Sequence, residues 1–124
     1  AQHLNLGRSL ASLRQEGVLL LGSGNIGHNL RDAFGRMRSG SSETPDWAER
    51  FDATVRDAIS QHDLDALTRA YPEHPDAQRA HPSPDHWIPL LYIMGASQRD
   101  ERVAFPAEGF DVGSISMRSV VLGS

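Results

Sequence analysis

The chain has 124 residues, 39% of them hydrophobic, and a formal net charge of −4, enough for one domain with a modest core. No basic block and no aromatic-basic interleaving occurs, which argues against nucleic-acid binding. Cysteine is absent, which excludes disulfides, thiolate metal sites and cysteine nucleophiles, and fits a reducing, cytoplasmic setting. No apolar run reaches membrane-spanning length and the amino terminus does not read as a signal peptide. A start at Ala1 implies a processed chain or a piece of a longer one.

Leu6, Leu10 and Leu13 recur at helical spacing and predict a helix over residues 4–16, closed by Gly17. The unbroken apolar run Val18-Leu19-Leu20-Leu21 predicts a strand buried on both faces, as in a parallel sheet. A tight turn at Ser23-Gly24-Asn25 then leads to a helix over 27–37. Residues 39–46 are Ser/Gly-rich and read as a surface loop. Trp47, Phe51, Val55 and Ile59 form one apolar stripe on a helix over 46–61, and a shorter helix over 64–71 precedes Pro72 and Pro75. In His81-Pro82-Ser83-Pro84-Asp85-His86, Ser83 suits an N-cap and Pro84 the first helical position. That helix is expected to run to Gly95, kinked or loosened by Pro89. Short strands are expected at 103–105 and 114–122.

One or two further strands cannot cover both edges of the apolar run, and so small a parallel sheet does not stand alone. The missing strands are therefore expected from other sequence or another chain. Gly22-Ser23-Gly24-Asn25-Ile26-Gly27 also matches G-x-G-x-x-G, with Glu43 about 20 residues on. A dinucleotide site needs a second buried strand ending at that acid, and Ser39–Pro45 cannot form one.

Six histidines are present. His28 follows the turn at the end of the expected strand, where open α/β sheets place ligands, and an imidazole there can exchange a proton near neutral pH. Spacing alone favours a helix-capping or surface histidine. His81 and His86 flank the proline-rich turn and can face one cleft, although five residues is not the separation that puts two ligands on one helix face. A Pro-rich turn that merely collects polar residues explains them as well, with Asp85 a helix-start carboxylate. His3, His62 and His74 read as solvated, and Trp47, Phe51 and Trp87 as core or pocket wall.

Taken together, four segments resemble those of a family in its own order. They are Gly17 to Arg31 around Gly22-Ser23-Gly24-Asn25-Ile26-Gly27-His28, Trp47 to Asp52, Ala80 to Ala96 around His81-Pro82-Ser83-Pro84-Asp85-His86, and Ser114 to Ser119. They resemble the carboxyl-terminal half of class III extradiol ring-cleaving dioxygenases of the DOPA 4,5-dioxygenase-like branch, from about Leu6 to Leu122. The resemblance implies an α/β fold in which residues 1–124 are the carboxyl-terminal part of one catalytic domain. It implies Fe(II), with zinc able to fill the same site, and opening of a catechol such as DOPA by O2 beside its two hydroxyls. His28 would be the acid/base, His86 a metal ligand where many relatives carry glutamate, and His81 and Asn25 substrate-binding residues, His81 lining the pocket and Asn25 also shaping the turn that presents His28.

The departure from the family is length. Its first two metal histidines lie in an amino-terminal half with no counterpart here, and His3 sits in no matching motif. One ligand and one acid/base are too few for a working iron site, so a second chain or a further segment carrying that half is the expected partner. The rival expectations are a dinucleotide-binding module using the glycine turn and a non-catalytic remnant of the fold.

Overall fold

A computed structural model describes residues 1–123. Six helices come in chain order: α1 (Gln2–Leu10), α2 (Leu30–Ser39), α3 (Asp46–Ser60), α4 (Leu64–Glu73), α5 (Ala77–Ala80) and α6 (Ile88–Gly95). Single 3₁₀ stretches at Ala11–Glu16 and Pro84–His86 follow α1 and precede α6. The strands β1 (Val103–Ala104), β2 (Phe110–Asp111), β3 (Ile115–Ser116) and β4 (Val121–Leu122) form two antiparallel pairs, β1 with β4 and β2 with β3.

The core is built on α3. All four residues of its apolar stripe are buried, together with Ala48 and Ala58, and full burial of Phe51, Val55 and Ile59 contributes about 1.5–3 kcal/mol each. Leu67, Ala70, Ala77, Trp87, Leu91 and Met94 close around this stripe. Asn29 caps α2 by accepting from the Asp32 amide, and Asp63 caps α4 by accepting from Ala66, each satisfying an otherwise orphaned donor. Helices α1 and α6 meet backbone to backbone. A Cβ on Gly7 would lie 2.3 Å from the Tyr92 carbonyl oxygen, and one on Gly95 2.2 Å from that of Leu4.

Several expectations change. Instead of one helix over 4–16, α1 tightens into the 3₁₀ stretch before Gly17 takes a left-handed conformation, φ 79°. The helix expected from Ser83 divides: Ser83 makes no side-chain cap, a 3₁₀ turn covers Pro84–His86, and Pro89 lies in the first turn of α6. A proline there lacks only an N–H that the helix does not use, so no kink results. The expected strand over 114–122 breaks into β3 and β4, separated by an irregular stretch.

The largest change is at Val18–Leu21, which is not a buried strand among the described residues. Leu19 and Leu21 are 85% and 86% exposed. Beyond the bond from the Val18 amide to the Leu13 carbonyl, Leu19 to Ser23 make no backbone hydrogen bond among the described residues. A groove of about 640 Å³ runs along one side of the segment, between Ile93 and Val120–Leu122. A second, about 440 Å³, lies along the other, against Ile88, Pro89 and Tyr92. No helix among the described residues is long and apolar enough to cross a membrane.

Candidate functional site

The Asn25–His28 turn is gripped from two sides. On one side the His28 amide donates to the Ala80 carbonyl at 2.8 Å, and the His81 ring donates from Nε2 to the Ile26 carbonyl at 2.6 Å. On the other, the Ser116 amide donates to the Gly27 carbonyl at 3.0 Å, and the Asn25 side-chain amide donates to the Ser116 carbonyl at 2.9 Å. Asn25 thus ties the turn to β3.

Beneath β3 lies an ion pair. Asp52 accepts from the Ser116 hydroxyl at 2.6 Å and from Arg118 Nη2 at 2.7 Å, with both charged side chains only 7% exposed. Arg118 also pairs with Glu108 at 2.8 Å and stacks over Phe105. The sequence reading gave Asp52 and Arg118 no role. A signal was available, since Asp52 lies four residues after Ala48 and three before Val55, on the buried face of α3, and a carboxylate there requires a partner.

The turn brings His28 onto His86. Their rings are parallel, 7° apart, with centroids 3.5 Å apart. Both rings are half-buried. Burial lowers the His28 pKa below its ordinary 6.5 and the neighbouring His86 lowers it further, against the opposing pull of Asp85. Ser83 donates its hydroxyl to Asp85 and holds that carboxylate ionised beside the pair. A neutral ring in a stack of two suits a group that must accept a proton.

The pair constrains what a metal could use. Imidazole lone pairs lie in the ring plane, and two parallel planes do not meet, so one ion takes a nitrogen from one ring of the stack. His86 suits that role chemically, since imidazole binds iron and zinc well. Its Nδ1 accepts only a long bond, 3.3 Å, from the Asn25 amide, so the ring gives up little on turning to a metal. Among the described residues no three His, Asp or Glu side chains converge on a metal position. The residues present could supply one ligand of a metal centre and do not make up a complete set among the described residues.

His81 lies elsewhere than on a cleft wall. Its ring is fully buried among Phe51, Tyr71 and Trp87, and further chain packed onto this surface can only bury it more. His3, His62 and His74 are partly covered, and each shares a hydrogen bond, with Tyr92, Ser97 and Thr54 respectively.

The glycines of the turn serve internal packing. A Cβ on Gly24 would lie 2.5 Å from the His86 carbonyl oxygen, and one on Gly22 2.8 Å from Ile93. These faces abut protein and offer no room for a pyrophosphate, and helix α2 begins at Leu30, three residues beyond the pattern.

The family described as the catalytic LigB subunit of aromatic ring-opening dioxygenase matches residues 1–123. The chain belongs to the LigB family. Its relatives in that family include the 4,5-DOPA dioxygenase extradiol of Escherichia coli strain K12, 39% identical over 129 residues, a match that covers 99% of this chain and 45% of that protein. The enzyme of the same name from Beta vulgaris is 31% identical, over 94% of this chain and 42% of its own length. Among solved structures, an uncharacterized protein of Escherichia coli K12 superposes with a TM-score of 0.81 at 38% identity, covering 96% of this chain and 48% of that one. This LigB-family chain therefore spans less than half the length of the curated relatives it matches.

Proposed function

We propose that the chain is the carboxyl-terminal part of an extradiol dioxygenase that opens a catechol ring, DOPA or a related catecholic acid. His28 serves as acid/base and His86 as a metal ligand. The observation that carries this reading is the stacked His28–His86 pair, one ring suited to proton transfer and one to ligation, in a LigB-family chain. Fe(II), when bound, supplies chelation of the catechol and activation of O2; zinc fills the same site without the latter chemistry.

This chain's own contribution is positioning and proton transfer. His28, kept neutral by burial and by His86, accepts a proton from a catechol hydroxyl at its free ring nitrogen and returns it after ring opening. Asn25 and the Ser116 backbone hold that ring in place. Asp85 lies close enough to stabilise the imidazolium while it carries the proton.

The remaining ligands and strands come from an amino-terminal half, as a second chain or a further segment of a longer one. The segment Leu19–Ser23, without backbone hydrogen bonds among the described residues and grooved along both sides, supports this, as does the length of the relatives. The test is reconstitution with that half, followed by metal analysis and catechol-dependent oxygen uptake. His28→Ala should keep the metal and slow turnover by about 10²–10⁴-fold, the usual range for loss of a general acid/base. His86→Ala should lose the metal. Full metal retention by His86→Ala would overturn the ligand assignment, and metal loss by His28→Ala would move His28 into the ligand set.

A further inference from the structure

We propose that His81 is a positioning residue: its buried ring holds the Ile26 carbonyl and thereby fixes the turn that stacks His28 on His86. The role of the turn rests on the dioxygenase reading; the clasp itself rests on geometry alone.

Ile26 is two residues before His28, and its carbonyl is buried. A carbonyl in that position needs a donor, because a buried acceptor left without one keeps its full desolvation penalty. His81 Nε2 supplies the donor at 2.6 Å, across 55 residues of sequence. The neighbouring peptide adds a second tie, from the His28 amide to Ala80. The last residue of α5, Ala80, and its C-cap, His81, thus grip the turn at both ends of Ile26–His28. From His81 the chain runs only five residues, through two prolines, to His86. One stiff connection therefore holds the backbone of the acid/base and carries the ring stacked upon it.

The proton inventory agrees. Donation from Nε2 makes Nδ1 of a neutral ring a bare lone pair, and Nδ1 has no partner among the described residues. A protonated ring would need a second acceptor, and the surroundings are Phe51, Tyr71 and Trp87. Burial accordingly lowers the His81 pKa to about 4, despite the bond to Ile26. A ring neutral at working pH, with no face on the cleft, moves no proton and touches no substrate; its contribution is the position of Ile26.

The first measurement is the tautomer of His81 by long-range nitrogen–proton NMR on the purified protein, with any iron replaced by diamagnetic zinc. The proton is expected on Nε2 and slow to exchange; a proton on Nδ1 overturns the proposal without any variant. The second compares His81→Gln, which keeps a donor at similar reach, with His81→Phe, which keeps ring volume and loses the donor. In His81→Phe the His28 ring protons should lose their ring-current displacement, and the His28 amide should exchange roughly tenfold faster, the equivalent of one hydrogen bond. His81→Gln should preserve both. A folded His81→Phe protein with both signals unchanged overturns the clasp, and if neither variant folds, the tautomer decides.

In the assembled enzyme the clasp predicts that His81→Phe lowers kcat at nearly constant KM. A raised KM with kcat preserved would instead return His81 to the substrate wall. The NMR readings require neither bound iron nor turnover, so an intact clasp in a protein that opens no catechol would count against the dioxygenase reading alone.

Discussion

At the scale of single residues, the site depends on two buried polar groups with opposite electrostatic character. Asp52 and Arg118 are a buried ion pair, and removing one partner leaves the other charged and without solvent. Asp52→Ala is therefore expected to cost about 3–5 kcal/mol, read as a lower urea midpoint, and to loosen the Ser116 contacts under the His28 turn. His81 is buried neutral. Its pKa falls from 6.5 to about 4 on folding, so between those values the unfolded chain binds a proton that the folded chain refuses. Stability should decline as pH falls from about 6.5 to about 4, by about 3 kcal/mol in all from this group, and level off below. His81→Gln should flatten that part of a pH series of urea titrations; an unchanged slope would show that another group is responsible. Strand-turn and proline-turn contexts single out His28, His86 and Asn25 in the sequence, and the structure brings the three side by side, while their chemical roles belong to the proposal. Spacing locates His81 along the chain and says nothing of which way its ring turns, which is into the core. Asp52 could have been found from its place on the α3 stripe, but its partner lies 66 residues away and no local pattern connects them.

At the scale of elements, close backbone approach explains glycines that a motif reading would assign to a ligand. Gly24 lies against the His86 carbonyl and Gly95 against that of Leu4. A methyl group there meets backbone, which cannot swing aside as a flexible side chain can. Gly24→Ala is expected to cost about 1–3 kcal/mol, as overpacking does, and to shift His28 relative to His86, whereas Gly35→Ala, with nothing within 4 Å of the added carbon, should cause neither change. NMR spectra of the two variants, with thermal melts alongside, separate these outcomes. Helices were the legible elements: α3 matches its 3.6-residue stripe almost to the residue, because that pattern is local and the face it predicts is the one buried. The paired strands are two residues each, too short for alternation to develop, so the strand expected over 114–122 spans β3, an irregular stretch and β4. The division before α6 was partly visible in Pro84 and Pro89, each of which suits a first turn and hence marks two helix starts.

At the scale of the whole molecule, the apolar run Val18–Leu21 was read for its composition and expected to be buried. The composition is that of a central strand, yet the segment has open grooves along both sides and makes almost no backbone bonds. Sequence records the environment a segment is suited to, and among the described residues Val18–Leu21 does not find it. Two further features point the same way. Leu30, Phe34 and Met37 form an exposed stripe on α2, at spacing that normally faces a partner. Helix α6 is apolar nearly all round, a pattern of helices covered on every side, yet Ile88, Pro89 and Ile93 line open grooves. If the amino-terminal half docks here, its strands supply hydrogen bonds to Leu19–Ser23, and its side chains cover Leu19 and Leu21, each worth about 1.5–3 kcal/mol on full burial. Replacing both leucines by lysine should leave the helical signal of this chain intact, since neither belongs to its core, while abolishing one-to-one association with that half in sedimentation. Hydrogen exchange gives the complementary reading: amides 19–23 should exchange freely in this chain alone and become protected by orders of magnitude on assembly. Unprotected amides in an active assembly would place the docking face elsewhere, with the α2 stripe next to be tested.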